Sequence, residues 1–269
     1  MSHQSFTEIL VPTAQSAEAL TFTITDDWLQ GRSSYGGLQS AFALAAMRTL
    51  TGVQAPLRVL QTTFIGPVGG GEVTVTARTL RAGKSVTHVE ARLMQGSETL
   101  CLVIGIFGAV RESQISVPMA VREAPQGPDG LRDLPFAKGI APNFTQHFQW
   151  RWAEGGWPYS GSPEPSTRIW LKHRASTNSS AFEAEIALIG LADAVPSPAL
   201  SMMKIPKASS SLTWTLELLR AAPAQGDGYW RIDSDIHQSK DGYVAQTAIV
   251  VAPDNQPVAL SRQAVVVFG

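Results

Sequence analysis

Apolar residues are spread over every side of a predicted helix between Gly37 and Leu50, and this pattern predicts that the helix is buried. Arg48 carries the only formal charge in that range, and no face of the helix would be consistently polar. A helix without a polar face has to be covered on all sides. The run is shorter than the roughly 20 residues that span a bilayer, so the pattern predicts burial inside the protein and no membrane partner.

Alternation of apolar and polar positions predicts strands around this helix. One strand precedes it, at Ala19 to Thr25, and four follow it, at Leu57 to Ile65, Glu72 to Arg81, Val86 to Met94 and Leu100 to Val110. The second half has a helix between Ser180 and Pro196. Its predicted strands are Phe144 to Trp152, Thr167 to His173, Ser211 to Leu219, Tyr229 to His237, Tyr243 to Val251 and Val258 to Phe268.

The order of these elements predicts an α+β fold. A strand, a buried helix and four strands joined by short turns indicate an antiparallel sheet that curls around its helix, which is the hotdog arrangement. The same order occurs twice, and an internal duplication is the simplest explanation. We therefore expect a double hotdog, with two antiparallel sheets each wrapped around a central helix. The expected divisions are an N-terminal hotdog at residues 1–111, a connector at 112–143 and a C-terminal hotdog at 144–269.

Composition narrows the classes of function. A formal net charge of -1 over 269 residues gives no electrostatic reason to expect a nucleic acid partner. Cys101 is the only cysteine and the N-terminus lacks a secretory pattern, so we expect a cytoplasmic protein. The 5 histidines are scattered, and the GxGxxG, Walker and GxSxG motifs do not occur. We therefore expect no metal, no cofactor and no α/β-hydrolase site.

A carboxylate ends the apolar stripe of the second helix. That stripe contains, at spacings of four, three and four, Phe182, Ile186, Ile189 and Asp193. Burial and the negative end of the helix dipole both raise the pKa of such a carboxyl group, which makes Asp193 a candidate general base. The alternative is that Asp193 only caps the helix end. Glu183 and Glu185 are rival carboxylates, which we interpret as surface charges of the first turn.

Two polar strand residues are further candidates. Gln263 lies on the apolar face of the last predicted strand, where its amide needs partners; pairing with an edge strand is the alternative interpretation. Ser211 is the other candidate, and it is predicted to share a strand face with Ser209, Thr213 and Thr215. The alternative interpretation is that this face is simply exposed to solvent.

Backbone N–H groups at a helix N-terminus can bind the oxygen of a substrate carbonyl as it becomes negative. At the first helix these candidate substrate-binding residues are Tyr35, Gly36 and Gly37. Asn178 to Ser180 could act in the same way at the second helix. Close packing of glycines and simple helix capping are the alternatives.

Five segments resemble, in their order and spacing, the acyl-CoA thioesterase II family of double-hotdog enzymes. They are QGRSSYGGLQSAFALAA, TTFIGPVGGGEVTVTARTLRAGKSVTHVEARLMQGSETL, LADAVPSP, SSLTWTLELLR and SRQAVVVFG. The resemblance implies a hydrolase of lipid metabolism that cleaves fatty acyl-CoA to free fatty acid and CoA.

The resemblance also implies catalytic residues. The family uses an Asp, a Thr or Ser, and a Gln from the second hotdog, and these fall on Asp193, Ser211 and Gln263. Ser210 and Thr213 are close alternatives for the hydroxyl. The implied mechanism is attack of a water, activated by Asp193 and assisted by Ser211 and Gln263, on the thioester carbonyl.

Two alternative functions stay open at this point. One is a non-catalytic acyl-CoA-binding hotdog protein. The other is a hydratase- or dehydratase-type hotdog enzyme, which would need His173 or His237 to pair with Asp193 in space. Aromatic residues on many strands and the near-neutral charge predict a homodimer or a larger homo-oligomer.

Overall fold

The computed structural model of the chain describes residues 4–123, 126–175, 180–223 and 228–268. Within these ranges it has an α+β fold. The helices are α1 (Phe6–Ile9), α2 (Gly36–Thr51), α3 (Ala181–Ala192) and α4 (Pro198–Met202). The strands are β1 (Ala14–Gln15), β2 (Ala19–Ile24), β3 (Leu29–Gln30), β4 (Ser33–Ser34), β5 (Leu57–Phe64), β6 (Gly71–Ala82), β7 (Val86–Gln95), β8 (Glu98–Gly108), β9 (Phe148–Glu154), β10 (Ser166–His173), β11 (Ser209–Leu218), β12 (Trp230–Lys240), β13 (Tyr243–Val251) and β14 (Pro257–Val267).

Twelve strands of the described ranges form one antiparallel sheet, in the order β1-β2-β6-β7-β8-β5-β11-β14-β13-β12-β10-β9, while β3 and β4 pair separately. The two expected sheets are joined where β5 pairs with β11, with Thr63 opposite Thr213 and Val59 opposite Glu217. This pairing satisfies backbone groups that would otherwise line two open edges, which explains why one continuous sheet forms.

The two halves of the sheet have the same topology. From the middle outward, each half has the first strand after its helix, then the fourth, third and second, and then the strand before the helix. In the first half that order is β5, β8, β7, β6 and β2. In the second half it is β11, β14, β13, β12 and β10. The repeat that the sequence pattern predicts is therefore present in the strand order.

Helix α2 lies between the sheet and α3, which explains its apolar composition. All residues from Gly37 to Met47 are buried, as predicted. The two helices are antiparallel, because Gly37 lies against Gly190 near one end and Arg48 pairs with Glu185 near the other. A Cβ added at Gly37 would lie 2.7 Å from the Gly190 carbonyl oxygen. Glycine at this position thus permits close packing of helix on helix, in keeping with the alternative interpretation that the glycines serve close packing.

Some elements differ from the prediction. The strand expected from Phe144 begins at Phe148, because Asn143–His147 forms a 3₁₀ helix. That turn is held by tertiary contacts: the Phe144 ring stacks on Tyr35 at 4.3 Å, and Trp150 Nε1 donates to the Thr145 carbonyl oxygen at 3.0 Å. The short helices α1 and α4 were not predicted.

The segment between the two halves has little regular structure. Between Gly108 and Phe148 the described residues form only 3₁₀ turns, at Pro128–Gly130 and Asn143–His147. The division at residues 111 and 144 stays a prediction. None of the helices in the described part of the chain is long and apolar enough to cross a membrane.

Candidate active site

Asp193 lies where the C-terminus of α3 meets the N-terminus of α2. Ser180 begins α3 by accepting the Glu183 N–H at 3.2 Å, and Asp193 is the residue at which the helix ends. The backbone N–H of Gly37 donates a hydrogen bond to the Asp193 carboxylate. A Cβ added at Gly36 would lie 2.8 Å from Asp193 Oδ2. The site is therefore built from both halves of the chain.

Gln263 of β14 reaches the same carboxylate. Its Nε2 donates to Asp193 Oδ1 at 2.5 Å, a short hydrogen bond. Its Oε1 accepts from Gln246 Nε2 on the neighbouring strand β13 at 2.8 Å. The amide on the apolar face thus has a partner at each end. The structure brings together Asp193 and Gln263, two residues that the family resemblance groups.

Burial controls the protonation of Asp193. It raises the pKa of this carboxyl group from 3.8 to about 7, while the hydrogen bonds from Gly37 and Gln263 act in the opposite direction. Asp193 is close to two helix ends that act in opposite directions. The negative end of α3 favours the protonated acid, and the positive end of α2 favours the carboxylate. A carboxyl group with this pKa can gain and lose a proton near neutral pH, as a general base must.

Tyr35 is a second titratable group that interacts with Asp193. It precedes α2 and is fully buried, and its ring lies between Trp28 and Phe144. Burial, and then the nearby Asp193 charge, raise the pKa of the Tyr35 hydroxyl well above its ordinary value. Tyr35 therefore stays neutral at neutral pH. The structure places Tyr35, Gly36 and Gly37 beside Asp193, while their role in binding substrate stays a prediction.

Ser211 lies on the same sheet face as Gln263 but is not joined to it. The β11–β14 register shifts between Ser211 and Thr213, so that Ser211 faces Val265 and Trp214 faces Gln263. This bulge moves Thr213 and Thr215 to the other face, so the predicted grouping of Ser211 with these two threonines is wrong. No hydrogen bond of Ser211 Oγ occurs among the described residues, and its catalytic role stays a prediction.

The two rival hydroxyls are placed differently. Ser210 is exposed and donates to the Ser211 carbonyl oxygen at 3.3 Å. Thr213 is also exposed, and it lies opposite Ala264 of β14 and Thr63 of β5.

Glu185 is not the surface charge that we expected. Arg48 of α2 donates to both Glu185 oxygens, the shortest contact being 2.6 Å, and the Leu57 N–H donates to Oε1 at 3.1 Å. Both charged side chains are largely buried, at 11% and 15% exposure. Because Arg48 and Glu185 are 137 residues apart in the sequence, the pair follows from tertiary packing. Glu185 is therefore engaged far from Asp193, at the opposite ends of the two helices.

The histidines that could serve a hydratase-type site have other partners. His173 Nε2 lies 3.0 Å from the Ala187 carbonyl oxygen, and burial lowers the pKa of this imidazole to about 4. His237 Nε2 bonds Thr247 Oγ1 at 2.7 Å. Within the described ranges no three His, Cys, Asp or Glu residues are grouped as metal ligands. Of the candidates at the second helix, Asn178 and Ser179 lie outside the described residues, and Ser180 caps the helix.

Two further residues of the site were not predicted from the sequence. Phe64 of β5 lies beside Gly36, whose added Cβ would be 2.5 Å from Phe64 Cζ. Gln246 supports Gln263, and a signal for it exists: Gln246 alternates with Val244 and Ala248 on a strand whose inner face is buried. The same pattern of an amide among apolar neighbours pointed to Gln263.

Comparison with known proteins identifies the fold and the family. The acyl-CoA thioesterase N-terminal domain matches residues 24–108, and the acyl-CoA thioesterase C-terminal domain matches residues 125–267. No curated protein sequence matches the chain. A protein of unknown function with a hot dog fold from Alicyclobacillus acidocaldarius has a TM-score of 0.88 at 18% identity, over 100% of this chain and 99% of that chain.

Two further solved structures are similar over almost the whole chain. The tesB protein of Mycobacterium avium subs. paratuberculosis has a TM-score of 0.81 at 15% identity, over 98% of both chains. An acyl-CoA thioesterase II from Mycobacterium marinum has a TM-score of 0.77 at 14% identity, also over 98% of both chains. The fold is thus a hotdog fold. Because the two family domains together match most of its length, the chain belongs to the acyl-CoA thioesterase family. It is a thioester hydrolase.

Proposed function

We propose that the protein hydrolyses fatty acyl-CoA to free fatty acid and CoA with a water that Asp193 activates. The observation that carries the proposal is the arrangement of Asp193 itself. Its Oδ1 accepts from Gln263, its carboxylate accepts from the Gly37 N–H, and burial raises its pKa to about 7. A base held by neutral donors at a helix N-terminus suits the activation of water.

The proposed reaction needs no covalent intermediate. Asp193 takes a proton from the water as the water oxygen bonds to the thioester carbonyl carbon. Negative charge then develops on the carbonyl oxygen, near the positive end of α2, where the backbone N–H of Gly36 can stabilise it, since the Gly37 N–H is held by Asp193. When the carbon–sulfur bond breaks, the proton passes from Asp193 to the CoA sulfur. The products are the acid and free CoA.

Gln263 and Ser211 are assigned supporting roles. Gln263 already holds Asp193 Oδ1, which leaves Oδ2 as the oxygen that can take the proton. Ser211 has a half-buried hydroxyl on the sheet face of Gln263, from which it could contact the water or the thioester. We expect Gln263→Ala and Ser211→Ala to lose less turnover than Asp193→Asn, because a second water can replace part of each contact.

We further propose a double-hotdog architecture that arose by duplication. The identical strand order of the two halves supports it, as does the match of the two family domains to successive parts of the chain. The proposed divisions are residues 1–111, 112–143 and 144–269. Expression of residues 144–269 alone tests their independence: an insoluble product is expected, because β11 would lose β5, and a stable folded fragment would contradict a shared sheet.

Self-association and a cytoplasmic location are also proposed. Large apolar side chains that lie on the described surface support an oligomer, among them Val110, Tyr243 and Phe268. Light scattering at micromolar concentration should show a dimer or larger, and a 28.8 kDa species alone would contradict this.

The buried thiol of Cys101 suits a reducing compartment. Fractionation of cells should place the protein with cytoplasmic markers.

A panel of acyl-CoA thioesters of increasing chain length tests the substrate class. Release of free thiol should be detected and should vary with chain length, because the acyl chain has to fit a pocket of fixed depth. Binding without thiol release would support the non-catalytic alternative. Addition of water to an enoyl-CoA without thiol release would support a hydratase.

A further inference from the structure

A chain of hydrogen bonds continues beyond Gln263 to a second amide and a hydroxyl. Gln246 Nε2 donates to Gln263 Oε1 at 2.8 Å, and Ser197 Oγ donates to Gln246 Oε1 at 2.5 Å. Gln246 and Gln263 are directly opposite each other in the β13–β14 ladder. Gln246 is only 9% exposed, so its amide depends on these two partners. The four linked residues are Ser197, Gln246, Gln263 and Asp193.

The charge on Asp193 sets the direction of this chain. An ionised carboxylate can only accept hydrogen bonds, so Gln263 must turn its NH₂ group toward it. The Gln263 oxygen then faces Gln246, which must donate in turn. The Gln246 oxygen then faces Ser197, whose hydroxyl must donate the next hydrogen bond.

Ser197 is suited to that end position. It precedes α4 and its Oγ already accepts the backbone N–H of Ala199 at 3.2 Å. Because an incoming N–H occupies a lone pair of the oxygen, the hydroxyl hydrogen is free to point at Gln246. Ser197 can therefore donate to Gln246 while it caps α4, and the Asp193 charge fixes the direction of the hydrogen bonds from the near end.

We propose that Gln246 and Ser197 are positioning residues for the hydrolysis: they hold the Gln263 amide in the orientation that donates to the Asp193 carboxylate. This inference rests on the proposed function, in which Asp193 is the base. A protonated Asp193 could instead donate to a turned Gln263 oxygen, which the Gln246 NH₂ group opposes. The chain of hydrogen bonds thus favours the ionised form of Asp193. Among the described residues, the groups shown to face Asp193 carry no charge: the Tyr35 hydroxyl just before α2, the Gly37 N–H and the Gln263 amide.

Gln246→Met tests the chain, since it keeps the length of the side chain and removes both hydrogen-bonding groups. We expect kcat to fall about 2- to 10-fold, as for loss of one neutral hydrogen bond, with KM changed little. The acid limb of the kcat/KM profile should move up by about 0.5 to 1 pH unit. Gln256→Met, on an exposed turn before β14, is the matched control and should match wild type.

Action through Gln263 is tested in a double-mutant cycle. In a Gln263→Met background, Gln246→Met should no longer move the acid limb, because the group that it orients is gone. An effect of full size in that background would overturn the proposal, since it would show a purely structural role. A folded Gln246→Met enzyme with the wild-type kcat and acid limb would also overturn it.

Ser197 provides an independent pair of variants if Gln246→Met does not fold. Ser197→Ala should reproduce the shift of the acid limb, and Ser197→Thr, which retains a hydroxyl, should restore the wild-type profile. Equal profiles for the two variants would overturn the proposal. Titration of the Asp193 carboxyl group by carbon NMR in Gln246→Met reports the same shift without catalysis. It therefore separates failure of this inference from failure of the proposed function, which would show as wild-type hydrolysis by Asp193→Asn.

Discussion

Replacing the Asp193 carboxylate by a neutral amide should stabilise the protein at alkaline pH. Burial raises the pKa of Asp193 from 3.8 to about 7, so the folded state keeps a proton that the unfolded state loses between those two values. The wild-type free energy of unfolding therefore falls as pH rises through this window and levels off above it. In Asp193→Asn this dependence disappears, and the new amide oxygen can still accept from Gln263.

The size of the effect follows from the pKa difference. At about 1.4 kcal/mol per unit, Asp193→Asn should exceed wild type by about 2 kcal/mol at pH 5 and by about 4 kcal/mol at pH 8. Any fixed difference in packing between the two side chains cancels when the two pH values are compared. The change of roughly 2 to 3 kcal/mol between pH 5 and pH 8 is therefore the quantity to measure.

Urea denaturation at both pH values provides the free energies of unfolding. Glu185→Gln is the matched control, because Glu185 lies on the same helix but is paired with Arg48. Loss of this largely buried pair should destabilise the protein by roughly 3 kcal/mol. A gap between Asp193→Asn and wild type that is equal at pH 5 and pH 8 would refute the reasoning about burial. A carboxylate that serves only as a helix cap would give lower stability in Asp193→Asn.

Two further predictions concern the activity of the site. The wild-type kcat/KM should rise with pH through an acid limb near the Asp193 pKa of about 7, because only the carboxylate can take a proton from water; a flat profile from pH 5 to pH 8 would contradict this. Gly36→Ala should lower kcat/KM by about 10- to 100-fold, since a Cβ there would meet Phe64 Cζ at 2.5 Å and Asp193 Oδ2 at 2.8 Å. Gly70→Ala, whose Cβ would meet its neighbours at 3.5 Å or more, is the control, and equal losses in both variants would exclude displacement of Asp193 as the cause.

The sequence was sufficient for the parts of the fold that depend on local pattern. The near absence of charge and the lack of a polar face between Gly37 and Leu50 predicted a buried helix, and α2 is buried from Gly37 to Met47. Alternation located the long strands. It could not show the 3₁₀ helix at Asn143–His147, which aromatic contacts from distant residues stabilise.

The site was predictable to the same extent. An acidic residue and an amide on apolar faces pointed to Asp193 and Gln263, and the two are hydrogen-bonded. The bulge next to Ser211 leaves no sign in the alternation of apolar and polar residues. The prediction of which residues share a strand face with Ser211 was therefore partly wrong. The meeting of Gly37 with Asp193 was also hidden, because it requires two helices from different halves of the chain to pack antiparallel.

The rate of CoA release by folded Asp193→Asn at pH 8 tests the central claim most directly. With saturating acyl-CoA, turnover should fall about 10²- to 10⁴-fold, the range for loss of a general base, while substrate binding should barely change. Far-ultraviolet circular dichroism and the urea midpoint confirm that the variant is folded. Turnover at the wild-type rate would contradict the assignment of Asp193 as the base.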